Sequence, residues 1–153
     1  MTKTENSASI LVELEFPGLP PTLNHLYRNS RTGIRYKTAE GRRWQEDVAM
    51  LLARAKRNRE PYRGYVFLCV ILSCTNRRLW DVDNRIKALQ DCLSMSGIVK
   101  DDKQVIGLFG WRAFGETEKT RVTVTAISPD LVENPCVRMA KTKKTHGNAG
   151  AKK

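Results

Sequence analysis

The run YVFLCVILS at residues 65–73 constrains this chain more than any other feature. It is almost continuously apolar, yet far shorter than the roughly 20 residues that cross a bilayer. Its β-branched and aromatic content favours a strand. A strand with apolar side chains at successive positions is expected at the centre of a sheet, covered on both faces. The rest of the chain must then supply partner strands and helices to cover it.

Those partners are legible. Residues 10–16, ILVELEF, alternate apolar and polar and predict a strand. Pro17, Gly18, Pro20 and Pro21 interrupt regular structure after it. Residues 28–37, RNSRTGIRYK, are basic with a Thr-Gly turn signal, and read as a loop or flexible ribbon. Thr38 is placed to cap a helix over about 39–57, with Trp44, Val48, Leu51, Leu52 and Ala55 recurring at helical spacing. Pro61 and Gly64 end it. A basic loop, TNRRLW at 75–80, leads into a second helix over about 83–95, closed by Gly97 as a C′ glycine. A short acidic turn at Asp101 and Asp102 precedes strands at 105–114 and 121–127. The order β-α-β-α-β-β predicts an α+β fold: a single domain with a mixed β-sheet and two main helices. Residues 1–9 form an N-terminal extension, 10–128 the domain and 129–153 a basic, disordered tail.

Charge narrows the function classes. The 153 residues suit one domain, and their net charge of +11 favours polyanions. Six of those charges lie from Cys136 onward, where there are no acids, so residues 1–135 still carry +5. No apolar run spans a bilayer and the start lacks the pattern of a signal peptide, so a cytoplasmic location is expected. Cys69, Cys74, Cys92 and Cys136 form no C-x-x-C pair and read as free thiols. His25 and His146 leave histidine catalysis poorly supplied.

Against that basic background stand two acidic pairs, Asp81 with Asp83 and Asp101 with Asp102. Val82, Ile86, Leu89 and Leu93 make the core face of the second helix, which sets Asp83, Lys87 and Asp91 on an adjoining stripe. Asp81 and Asp83 project from the junction before that helix. Helix capping is the ordinary use of an aspartate there, but it employs one residue, not four. The alternative is a divalent cation: magnesium takes hard oxygen ligands, often one or two carboxylates completed by water and phosphate. Such an ion activates water and steadies a phosphodiester transition state. Lys87 reads either as an i, i+4 ion-pair partner of Asp83 or as a cation beside the scissile phosphate.

The runs RRLWDVDNRIKALQDCL at 77–93 and GIVKDDKQV at 97–105 closely resemble the RusA family of Holliday junction resolvases, crossover junction endodeoxyribonucleases. Their forms are D-x-D-N-x-x-K-x-x-x-D-x-L and G-x-x-x-D-D-x-Q-V. PPTLNHLY at 20–27 resembles the family's opening motif, with Thr22 where serine is usual. The resemblance covers about residues 10–128. It implies a RusA-like fold, with Asp81, Asp83 and Asp102 as the essential acids that hold metal and Lys87 as the catalytic lysine. Asn84, Asp101, Asn24 and Asp91 match positions that support the site. It further implies a homodimer that uses Mg2+, or Mn2+ in its place, and cuts two strands of a four-way junction symmetrically during DNA recombination and repair. Members are often encoded by phages or prophages.

Basic residues elsewhere suit the same substrate. Arg28, Arg31, Arg35 and Lys37 lie within ten residues, and Arg77 and Arg78 stand just before Asp81. All six are candidate DNA contacts, against a reading as solvated polar loops. His25 reads as a surface or packing residue, and Trp44 and Trp111 as core or interface residues. Two rival functions remain: a non-catalytic module that binds branched DNA or structured RNA, and a magnesium nuclease that prefers flaps or RNA. The binding module gives the aspartates no task.

Overall fold

The apolar run forms the centre of the sheet. In the computed structural model, which describes residues 9–77 and 80–128, strand β4 spans Val66–Cys74. It pairs in parallel with β5 (Val105–Phe114) and antiparallel with β6 (Lys119–Ala126). β6 pairs antiparallel with β1 (Ile10–Pro17), giving the order β1-β6-β4-β5. The sheet is therefore mixed, in a single-domain fold consistent with the expected class. Arg78, Cys136, His146 and the segments 1–8 and 129–153 lie outside the described residues.

One expectation is corrected at β4. Val66, Leu68, Val70, Leu72 and Cys74 are fully buried, but Phe67 is 37% exposed and Cys69, Ile71 and Ser73 are half-buried. The strand is covered on one face, not two. Its even-numbered side chains meet the helices, and the odd-numbered side has no helix over it among the described elements.

The covering layer is α2 (Ala39–Ala55) and α3 (Asp83–Met95), which pack against each other. Thr38 caps α2 as its sequence predicts, its side chain accepting from the Gly41 N–H at 3.0 Å. Leu51 departs from the predicted stripe: it is exposed, while Gln45, Val48, Ala49 and Leu52 face inward. Trp44 is half-buried and lies against Phe16, with ring centroids 6.5 Å apart. On α3, Ile86, Leu89 and Leu93 are buried as expected, joined by Ala88 and Cys92. Gly97 follows with φ +68°, the left-handed conformation that lets a helix end in a C′ glycine.

Two smaller elements stand at one end of the helical layer. A one-turn helix, α1 (Leu23–Leu26), was not legible in the sequence and leads into a hairpin of β2 (Tyr27–Asn29) and β3 (Arg35–Lys37). The basic segment is thus a ribbon. α1 touches both α2 and α3. Cys69 is half-buried and Cys74 and Cys92 are buried, all as free thiols. Burial pushes the Cys92 thiol up to about 12, which keeps it neutral and inert. No helix among the described residues is long and apolar enough to cross a membrane.

Candidate active site

The parallel pairing of β4 with β5 forces the chain to cross over between them, and that crossover carries all four central candidates. The chain leaves β4 at Cys74, reaches Asp81, enters α3 at Asp83 and returns through Asp101 and Asp102 to β5. What presses the start of α3 onto the sheet is Gly110. A Cβ there would stand 2.4 Å from Ile86 Cδ1 and 3.0 Å from Val82 Cγ1, so any larger residue would push these two side chains of the first turn of α3 aside.

The helix start does not spend its aspartates on capping. The N-cap residue is Val82, in helical conformation, and its side chain makes no capping bond. Asp81 and Asp83 are both exposed beside the positive end of the helix. Asn84 donates from Nδ2 to Asp81 Oδ2 at 3.3 Å and so orients that carboxylate.

The second acidic pair divides by role. Asp101 caps the 3-10 turn Asp102–Gln104, accepting from the Lys103 N–H at 2.9 Å, and this bond holds its carboxyl below the usual aspartate range. Gln104 completes the cap. Its Oε1 accepts from the Lys100 and Asp101 N–H groups, and its Nε2 donates to the carbonyls of Tyr62 and Gly64. Asp102 adjoins the Asp101 carboxyl, to which its own side chain bonds, and reaches α3, where Lys87 Nζ lies 3.6 Å from its Oδ2. Lys87 therefore pairs with Asp102, and so ties the two acidic segments together. The pair is half-exposed, which limits it to under about 1 kcal/mol of stability.

Two expected site residues do other work. Asp91 accepts from Gln45 Nε2 at 3.1 Å and lies 3.8 Å from Lys37 Nζ. It stands eight residues beyond Asp83 on α3, about 12 Å along the axis, and braces α2 and the hairpin against α3. Lys37, expected to contact DNA, is half-buried in that brace. Arg28, Arg31 and Arg35 remain exposed, with the Arg35 guanidinium 4.4 Å from the Tyr27 ring centroid. Asn24, on α1, joins Arg28 and Arg35 in lining an open cleft of about 350 Å³. His25 is exposed, its ring nitrogen bonded to the Thr22 hydroxyl at 2.8 Å.

Arg85 was missed by the sequence reading. Its guanidinium lies 4.8 Å from the Trp80 ring centroid and donates to the Pro20 carbonyl, joining the double-proline segment to α3. Burial lowers its pKa from the ordinary arginine value. Arg112 lies over both Trp80 (5.1 Å) and Phe114 (4.9 Å), and Arg77 stands 5.6 Å from Phe114. Cations thus alternate with aromatic rings next to Asp81, each pair attracted through the ring quadrupole.

A family model described as endodeoxyribonuclease RusA matches residues 17–125. The chain belongs to the RusA family. RusA proteins are endodeoxyribonucleases, hydrolases of the DNA phosphodiester bond, that resolve Holliday junctions. The match encloses α1, the hairpin, both acidic segments and the whole crossover. No curated protein matches the chain.

Among the described residues, no three His, Cys, Asp or Glu side chains gather into a ready-made metal cage. The crossover nonetheless carries hard oxygen donors of the kind a magnesium ion would take, Asp81 and Asp83 exposed before α3 and Asp102 half-buried before β5.

Proposed function

We propose that this RusA-family chain is a homodimeric, magnesium-dependent resolvase that cuts opposite strands of a four-way DNA junction symmetrically. One observation carries the reading: Asp81 and Asp83 sit exposed at a helix start whose N-cap side chain makes no capping bond, while Lys87 on the same helix reaches Asp102. Lys87 thereby links the helix that carries Asp83 to the second acidic segment. When bound, a divalent ion would supply charge stabilisation at the scissile phosphate and an activated water. Asp81, Asp83 and Asp102 would hold it, with Asn84 orienting Asp81. Lys87 places a positive charge where the phosphoryl oxygens gain negative charge, and the phosphate competes with Asp102 for it. Arg28, Arg31, Arg35 and Arg77 bind the flanking backbone.

The test is the Asp81→Asn variant on labelled four-way junction, with duplex, flap and RNA as competitors. Junction binding stays within about threefold of wild type, and cutting falls by at least about a hundredfold, in line with loss of one electrostatic catalytic group. Wild-type cutting by the variant overturns the role of Asp81, and cutting undiminished by EDTA removes the metal. Faster cutting of flaps or RNA than of junctions overturns the substrate.

A further inference from the structure

Beside the carboxylates of the crossover stands a stack of arginines and aromatic rings that the cutting chemistry does not use. Arg77 follows β4, Trp80 directly precedes Asp81, Arg85 belongs to the first turn of α3, and Arg112 and Phe114 lie at the end of β5. Arg112 joins the two rings, 5.1 Å from the Trp80 centroid and 4.9 Å from that of Phe114. The register sets Arg112 against Leu72 and Phe114 against Cys74, both buried toward the helices, so the stack opens on the side of the sheet that carries α3. One end is anchored. Trp80 is half-buried under Arg85, which donates to the Pro20 carbonyl and has its Nε buried without a hydrogen-bond partner. The other end is open: Phe114 is 58% exposed, and Arg77, 5.6 Å from its centroid, is exposed too.

The two kinds of side chain narrow what the open end can take. A bare phosphate suits the guanidiniums but gains nothing from a phenyl ring, whose face is negative. A wholly apolar ligand gains nothing from the cations. A nucleobase suits both, since a flat π system stacks on aromatic rings and on guanidinium planes alike. In continuous duplex each base face is covered by the next pair. Where strands exchange in an open four-way junction, the innermost pairs lose a neighbour, and a base there is unstacked at the least cost. We infer that the exposed Phe114 ring, with Arg112 beside it, stacks on a base at the branch point, from a nucleotide adjoining the scissile phosphate. Trp80 and Asp81 are consecutive, with Cα atoms about 3.8 Å apart, so the stack and the carboxylate reach neighbouring nucleotides of one strand. The inference rests on the junction-cutting reading and gives the protein a means of preferring branched over continuous DNA outside its carboxylates.

2-Aminopurine on either side of the scissile phosphate, in a junction and in a duplex of the same sequence, reports the contact, because stacking on a ring quenches its fluorescence. Signals are read in EDTA, before any product forms. Saturating wild-type protein lowers the junction signal by about half or more and leaves the duplex signal unchanged. Phe114→Leu keeps an apolar side chain but removes the flat face, and its circular dichroism is unchanged. It abolishes the quenching and lowers junction affinity about tenfold, as expected for one base–aromatic contact, with duplex affinity within about twofold of wild type. Phe114→Trp restores quenching and affinity. An unquenched junction with wild type, quenching that survives Phe114→Leu, or equal loss of junction and duplex affinity would each overturn the inference. So would altered sedimentation of Phe114→Leu, which would make the ring a protein contact. Cutting in magnesium is scored separately. If wild type quenches but never cuts, the nuclease reading fails and the stack stands. If wild type cuts junctions without quenching, the stack fails alone.

Discussion

Asp101 and Asp102 are neighbours with different fates, and the difference lies in one amide. Asp101 accepts from the Lys103 N–H, so its carboxyl is held below the usual aspartate range near 3.9. The depressed value fixes the sign of its pH dependence: the cap is complete above the unfolded value and is lost as pH falls through the folded one. An NMR titration of the Lys103 amide should therefore report a midpoint below that of an ordinary aspartate; an ordinary midpoint removes the capping bond. Gln104 is the more consequential neighbour. Gln104→Ala leaves the Tyr62 and Gly64 carbonyls without its donor and should cost about 2 kcal/mol. Denaturant unfolding checks that figure. The same variant should cut about tenfold slower with unchanged junction affinity, because the turn that carries Asp102 is no longer held. Equal loss of affinity and rate would make Gln104 a binding residue instead.

At the scale of elements, the close approach of α3 to β5 is the feature on which the first acidic pair depends. Gly110→Ala should cost about 1–3 kcal/mol through overpacking against Ile86 and Val82, and should slow cutting by displacing the turn that bears Asp83. Thermal unfolding and a cleavage time course check the two halves, and wild-type cutting from a destabilised protein would show that the turn is held elsewhere. Periodicity made α2 and α3 legible because each buries one stripe, and Thr38 and Gly97 marked their ends. It misread β4. An unbroken apolar run describes a strand buried on both faces and also one whose second face is apolar yet open, and no local signal separates them. α1 was invisible because four residues carry no period. The brace of Asp91, Gln45 and Lys37 joins three elements across more than 50 residues, so spacing along α3 could place Asp91 beside Lys87 but could not show what it meets. Asp81, Asp83, Lys87 and Asp102 were legible as a motif, whereas the pairing of Lys87 with Asp102 exists only in the fold.

For the molecule as a whole, charge and topology set what it does in solution. The exposed hairpin arginines should make junction binding depend on salt, with each lost phosphate contact reducing the log–log slope by about 0.9. Replacing Arg28 and Arg31 by alanine should therefore lower the slope by nearly two, as read by anisotropy across a KCl series; an unchanged slope would place the DNA elsewhere. Topology acts earlier, while the chain is still folding. The crossover from β4 to β5 closes within some 40 residues, but β1 finds β6 only by joining Ile10 to Thr125 and Pro17 to Lys119. Contacts so distant along the chain come at a higher cost in loop closure and form late. The crossover should then form the folding nucleus, with β1 the last strand to dock. Leu89→Ala should slow refolding, whereas Val12→Ala should leave refolding nearly unchanged and hasten unfolding. The enzyme would thus assemble its chemistry before it closes its sheet.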